Sequence, residues 1–263
     1  MIRLIGIDVD GTLVGSSGLV PPAVWQAAEQ ARAAGIRLAL CSGRPAFGIA
    51  LDYARRLDQD GWHVFQNGAS VVHLGAQQSR STTLPVAAVN ELIVQARATQ
   101  HVLELYSDSS YVVESTAAWA SEHADLLGVP FKAQPFEALT QPVVRAQWLL
   151  APDDAARVAA PRGLEMAQSS SPLMPDVRFV GLTREGVSKG SAIRELAAAY
   201  QIELQDIMYV GDSGNDLSAL RIVGWPVAMA NADPAVIQAA GRTAGHVEEG
   251  GLVQALRMAL DSL

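Results

Sequence analysis

Between residues 2 and 66 the chain alternates short apolar runs with stretches of helical periodicity, and this alternation restricts the fold more than any other feature. Residues 2–7 (IRLIGI) have the length and apolar continuity of a strand buried on both faces. After a turn, PPAVWQAAEQARAAG sets Val24, Ala27, Ala28 and Ala31 at helical spacing, with Pro22 in the first turn and Gly35 at the C-terminal end. Residues 36–41 form a second strand-like run, 45–58 a helix, and 62–66 a third strand. The turn dipeptide Asn67-Gly68 and the β-rich run ASVVHL follow. Strand and helix alternating in this way predict a doubly wound α/β layer around a parallel sheet.

From residue 84 to about 182 the pattern changes. Short β-rich pieces (VLELYSD, YVVES, VRAQWLLA, VRFVGLT) are mixed with helical stretches such as VAAVNELIVQARA and separated by runs such as PLMPD. QSSSP near Ser169 reads as a loop. This predicts a smaller α+β unit with an antiparallel sheet, inserted into the first layer. The α/β rhythm then resumes with a helix from residue 188 or 189 to about 200, a strand over 207–210 and a helix starting near Gly214. The run PVAMA and a final helix from about Gly251 complete it.

Composition narrows the function classes. The 263 residues suffice for one or two domains, and 49% hydrophobic with 17% charged residues excludes a disordered chain. A net charge of −8 argues against generic binding to nucleic acid or an anionic membrane. The lone Cys41 leaves no intramolecular disulfide and no cysteine-based zinc site, and its apolar surroundings suit a core thiol better than a nucleophile. Histidines 63, 73, 101, 123 and 246 show no ligand spacing. Without a signal segment or a run of ~20 apolar residues, a soluble cytoplasmic protein is expected.

In an open parallel sheet, ligands bind beyond the carboxyl ends of the strands. Three such tips carry chemistry: Asp8-Val9-Asp10-Gly11-Thr12, Ser42-Gly43-Arg44 and Gly211-Asp212-Ser213-Gly214-Asn215-Asp216. If the three strands are neighbours, Asp8, Asp10, Asp212 and Asp216 converge. So many carboxylates in one crevice require a cation, and with no histidine or thiolate among them it is a hard one, best matched by magnesium. Lys189, in GVSKG, falls in the first turn of a helix, where the macrodipole disfavours a cation but free N–H groups attract anions. With the Ser42 hydroxyl and the Gly43 and Gly11 amides it would form an anion cradle beside the metal, the equipment of phosphoryl transfer. Each piece alone also has an ordinary reading: an Asx turn, a strand-to-helix turn, a capped helix start, a surface lysine. Their joint occurrence at successive element ends favours the shared site.

The motifs DVDGTL (8–13), SGR (42–44), FQNGASVV (65–72), VSKG (187–190) and GDSGND (211–216) resemble those of the haloacid dehalogenase superfamily of phosphatases, in its Cof-type branch. The resemblance implies a Rossmann-like core over 1–82 and 183–263 and a large type II cap over 83–182. It implies Asp8 as nucleophile, Asp10 as general acid and then base, and an aspartyl-phosphate intermediate. Mg2+ would be held by Asp8, the Asp10 main-chain carbonyl and Asp212, with Asp216 behind them. Gly11, Thr12, Ser42, Gly43, Lys189 and Asn215 would contact the phosphoryl group, and Arg44 would either join them or form a salt bridge to the core. The implied substrate is a small phosphorylated metabolite such as a sugar phosphate. A specialised sucrose- or mannosylglycerate-phosphate phosphatase and a non-catalytic phospho-ligand sensor are the alternatives. In the cap, Tyr111, Trp119, His123 and Arg145 could face substrate, but packing or surface is the expected role, so none is placed in the site.

Overall fold

The computed structural model describes residues 1–171 and 174–262. In chain order the strands and helices are β1 (Leu4–Ile7), α1 (Pro22–Ala33), β2 (Arg37–Leu40), α2 (Ile49–Asp58), β3 (Trp62–Phe65), β4 (Ser70–His73), β5 (Gln78–Ser79), α3 (Val86–Thr99), β6 (Val102–Tyr106) and β7 (Tyr111–Val113). They continue with α4 (Ala118–Leu127), β8 (Arg145–Leu150), α5 (Pro152–Ala155), β9 (Leu164–Ser171), β10 (Met174–Arg184) and α6 (Lys189–Tyr200). The last are β11 (Ile207–Gly211), α7 (Leu217–Leu220), β12 (Trp225–Ala228), α8 (Pro234–Ala240) and α9 (Gly251–Leu260).

These elements form two compact units. The first comprises Met1–Arg44, Asp52–Ser79 and Ser188–Leu263, and the second Pro45–Leu51 and Arg80–Val187. The second unit therefore includes seven residues from the 45–58 segment, and it runs past residue 182 because β10 stays paired with β9 as far as Arg184.

In the first unit a parallel sheet has the order β12-β11-β1-β2. β3 extends it through a parallel bridge between Cys41 and Val64 and starts the antiparallel group β3-β4-β5. β1 is thus flanked by β2 and β11, and the three chemistry-bearing tips lie side by side at the carboxyl end. β1 is buried throughout, as an apolar strand covered on both faces must be. α1 buries Val24, Trp25, Ala27, Ala28 and Ala31, which is the periodic stripe plus one tryptophan. Gly6 lies opposite Tyr209 in the β1–β11 register, and a Cβ there would stand 2.7 Å from the Tyr209 ring. The bare glycine is what allows that ring to sit buried against the strand. One helix of this unit went unread in the sequence and another was read too long. α8 carries the usual signals, Pro234 at its start and Gly241 just past its end, but has only seven residues. Near Gly214 the chain makes a single tight turn (Gly214–Asp216) before the four-residue α7, where a longer helix was expected.

The second unit is an antiparallel sheet of order β7-β6-β8-β10-β9. Its apolar face packs Leu103, Leu105, Trp148 and Val180 against Ala88 and Leu92 of α3. On the opposite face the pairs Glu104↔Gln147 and Tyr106↔Arg145 place polar side chains in adjacent rows. Glu104 is fully buried and accepts from the Tyr106 hydroxyl at 2.6 Å, with His123 Nδ1 at 2.9 Å. Phe47 and Tyr111 stack on Tyr106, and Trp119 packs on a neighbouring apolar cluster. Two expected loops are strand instead. Gln168 pairs with Val180 within the β9–β10 hairpin, and Met174 pairs with Ser171. Pro175 and Asp176 fall where the register shifts, and at such a bulge a missing N–H breaks no ladder bond. Pro172 and Leu173 of these runs lie outside the described residues.

Candidate active site

The loop after β1 folds tightly over one carbonyl. The N–H groups of Thr12, Leu13 and Val14 all donate to the Val9 oxygen, at 3.3, 2.9 and 2.8 Å. The Gly11 N–H donates to the Val14 carbonyl at 2.9 Å. Gly11 is therefore not the amide donor expected in an anion cradle, because its proton closes this loop. Its contribution is conformational. Its φ is +87°, and a side chain there would collide with the Asp212 carboxylate. Asn231 Nδ2 donates to the Gly11 carbonyl at 2.8 Å and holds the loop from the far side.

The loop delivers Asp8 inward and Asp10 outward. Asp8 is 4% exposed, and its Oδ1 accepts from Lys189 Nζ at 2.5 Å. The Asp10 carboxylate is 62% exposed and gripped by the Arg44 guanidinium, Nη2 to Oδ1 at 2.6 Å and Nε to Oδ2 at 3.0 Å. Arg44 thus forms a salt bridge, but to the exposed Asp10 rather than to the core. Asp10's side chain is thus not among the gathered carboxylates.

Lys189 comes from the first turn of α6, which starts in a reciprocal Ser188–Ser191 capping box. It is 1% exposed, and its ammonium also donates to Asp216 Oδ1 at 2.7 Å and Asn215 Oδ1 at 3.3 Å. Burial alone would lower its pKa, but the Asp216 and Asp8 carboxylates outweigh that and hold it above the ordinary lysine range. Asp216 has no exposed surface and accepts four hydrogen bonds. Lys189 and the Tyr209 hydroxyl (2.7 Å) share Oδ1, and the Asp212 and Ser213 N–H groups (both 3.1 Å) share Oδ2. Asp212 is partly open, and its Oδ1 accepts from the buried Thr12 hydroxyl at 3.2 Å. Ser42 is buried and its Oγ accepts the Arg44 N–H at 3.0 Å, while Gly43 lies beside Asn67.

One carboxylate oxygen from each of Asp8, Asp212 and Asp216 lies within 4.8 Å of the other two, a grouping able to hold a metal ion. Burial, then the Asp216 charge, push the Asp8 carboxyl well above the usual carboxylate range. The same two causes push Asp212 up to about 6. Three carboxylates face one ammonium, leaving an excess of two negative charges that one divalent cation would cancel. The donors are all carboxylate oxygens, which suits a hard cation. Cys41 behind them is fully buried, and burial raises its thiol pKa, so it stays a protonated core residue. Sequence reasoning missed Tyr209, Asn231 and Asn67. The first two lie in unremarkable runs, whereas Asn67 stood in a quoted motif but read as a turn.

A family model described as haloacid dehalogenase-like hydrolase matches residues 5–256. The chain is 28% identical to the pyridoxal phosphate phosphatase YbhA of Escherichia coli (strain K12), over 89% of this chain and 90% of that protein. It is 25% identical to the 5-amino-6-(5-phospho-D-ribitylamino)uracil phosphatase YwtE of Bacillus subtilis (strain 168), over 88% of each. The solved structure of the HAD subclass IIB sugar phosphatase BT4131 superposes with a TM-score of 0.82 at 23% identity, over 97% of this chain and 98% of the other. Among the described residues no helix is long and apolar enough to cross a membrane.

Proposed function

Because the chain belongs to the haloacid dehalogenase-like hydrolases, in their Cof-type branch, and is a phosphatase by that kinship, we propose that it is a magnesium-dependent phosphomonoesterase working through an aspartyl-phosphate on Asp8. The observation that carries this reading is the buried Lys189 spanning Asp8 and Asp216, with Asp212 alongside. A lone buried lysine among three carboxylates is costly to assemble for packing alone. It suits a place where an anionic phosphoryl group and a cation are bound together.

In the first step an Asp8 carboxylate oxygen bonds to phosphorus as the bond to the leaving oxygen breaks, and Asp10 supplies the proton that the departing alkoxide needs. In the second, Asp10 takes a proton from water as that water attacks phosphorus, freeing Asp8 and inorganic phosphate. Asp8 must be ionised to attack. Its burial opposes this, and the Lys189 ammonium at 2.5 Å favours it. Asp10 must leave the Arg44 fork to reach the leaving group. Thr12, Ser42, Gly43, Asn215 and Lys189 would hold the phosphoryl oxygens. Asp8, Asp212 and the Asp10 main-chain carbonyl would hold magnesium, and Asp216, with both oxygens engaged by donors, would orient Lys189 from behind. When bound, magnesium would cancel the excess carboxylate charge and would supply Lewis-acid polarisation of the phosphoryl group.

The relatives named above act on a pyridine aldehyde phosphate, a ribityl phosphate and sugar phosphates. What these share is a phosphate monoester on a small polar body, and that is the substrate class proposed here. The test is phosphate release from p-nitrophenyl phosphate and a panel of metabolite monophosphates, with magnesium, with EDTA and with Asp8→Ala. Turnover that needs magnesium and vanishes in the variant is expected. Turnover that survives Asp8→Ala would refute the covalent mechanism, and inactivity on every monoester would refute the function.

A further inference from the structure

One quoted motif has no task in the mechanism above. In FQNG the backbone takes left-handed φ at Gln66 (53°), Asn67 (56°) and Gly68 (104°), two of them residues with side chains. The Gln66 N–H donates to the Arg44 carbonyl and the Asn67 N–H to the Ser42 carbonyl, each at 2.9 Å. This unusual turn is thereby pinned to the strand tip that carries Ser42 and Gly43. Its outcome is the position of one side-chain oxygen. Asn67 Oδ1 accepts from Asn215 Nδ2 at 3.1 Å.

The donors around Asn215 determine which way its amide must face. The Lys189 ammonium can only donate, and it points at Asn215 Oδ1 at 3.3 Å, joined by the Ser213 hydroxyl at 2.8 Å. The Asn215 NH2 therefore needs an acceptor on its other side, and Asn67 Oδ1 is that acceptor. An Asn215 amide turned over would set its NH2 against the ammonium, donor facing donor, so the Lys189 side selects the orientation. Asn67 Oδ1 then supplies the acceptor that the NH2 needs in that orientation.

We propose that Asn67 is a positioning residue. It holds the Asn215 amide with its oxygen towards Lys189, and so orients the ammonium for the phosphoryl group. Asparagine meets both demands of the position, tolerance of a left-handed backbone and a neutral acceptor. Glycine would meet only the first, and aspartate would meet both but bring a further negative charge towards an anion site. The inference rests on the phosphatase reading.

The experiment is a double-mutant cycle of Asn67→Gly and Asn215→Ala on a phosphomonoester that the wild type turns over. Glycine keeps the left-handed turn and deletes only the acceptor. Asn67→Gly is expected to lower kcat about tenfold with KM within about twofold, and to leave the thermal midpoint within about 2 °C. In the Asn215→Ala background it should cause less than about a twofold further change, because the residue it acts through is gone. Wild-type kcat in Asn67→Gly, or the same tenfold loss in both backgrounds, would overturn the inference while leaving the phosphatase reading intact. A wild type inactive on every monoester would remove both. If Asn67→Gly proves unstable, Asn67→Asp decides: retained kcat with raised KM supports the positioning role, and lost kcat overturns it.

Discussion

Tyr209→Phe isolates one bond in the scaffold behind the site. The Tyr209 hydroxyl donates to Asp216 Oδ1 at 2.7 Å, and neither residue is exposed. Removing one oxygen atom leaves the ring where Gly6 accommodates it, so packing changes little. What is lost is one of the four hydrogen bonds on a buried carboxylate, and a bond to an ionised group is worth ~1.5–3 kcal/mol. Water cannot replace it at this depth. We expect a loss of about 2 kcal/mol, read as a lower urea midpoint with an unchanged slope in circular dichroism. A double variant with Asp216→Ala should lose less than the sum of the two singles, since both changes remove the same bond. A change below ~0.5 kcal/mol in Tyr209→Phe would refute the claim that Asp216 depends on this donor, because ordinary surface substitutions fall in that range.

Two further outcomes follow from the same geometry. His63 is fully buried, with Nδ1 accepting the Leu40 N–H at 3.0 Å and Nε2 donating to the Asp58 carbonyl at 2.7 Å, and burial lowers its pKa to about 4. A base lowered in the folded state stabilises above its unfolded pKa of ~6.5 and loses that contribution as pH falls towards 4, so ~2 kcal/mol should disappear between pH 7.5 and 5. Asp212, raised to about 6, works in the opposite sense, so the test is the difference in pH slope between wild type and His63→Gln; equal slopes would refute the assignment. Arg44→Gln should raise turnover, by no more than about fivefold, because it releases Asp10 from a part-exposed pair worth ~1 kcal/mol. A hundredfold fall in kcat/KM would instead put Arg44 on the substrate.

The local sequence determined most of the architecture. Apolar runs of strand length at β1, β2, β3 and β11, separated by periodic helices, admit little besides a parallel layer, and an inserted antiparallel unit was legible from its change of rhythm. Asp8, Asp212, Asp216 and Lys189 were legible too, because they occur together at successive element ends. What sequence could not give is direction. The spacing of Asp8 and Asp10, with one residue between them, does not say that one carboxylate turns in to Lys189 and the other out to Arg44. The Gly11 amide looked free until the loop closed on Val14. Tyr209 and Asn67 support residues only seven positions away in one case and 148 in the other, yet neither carries a local mark of doing so. Propensity and patterning act along the chain, over a few residues. Hydrogen-bond partnership at the site depends on which strand tips become neighbours, and only the folded sheet decides that.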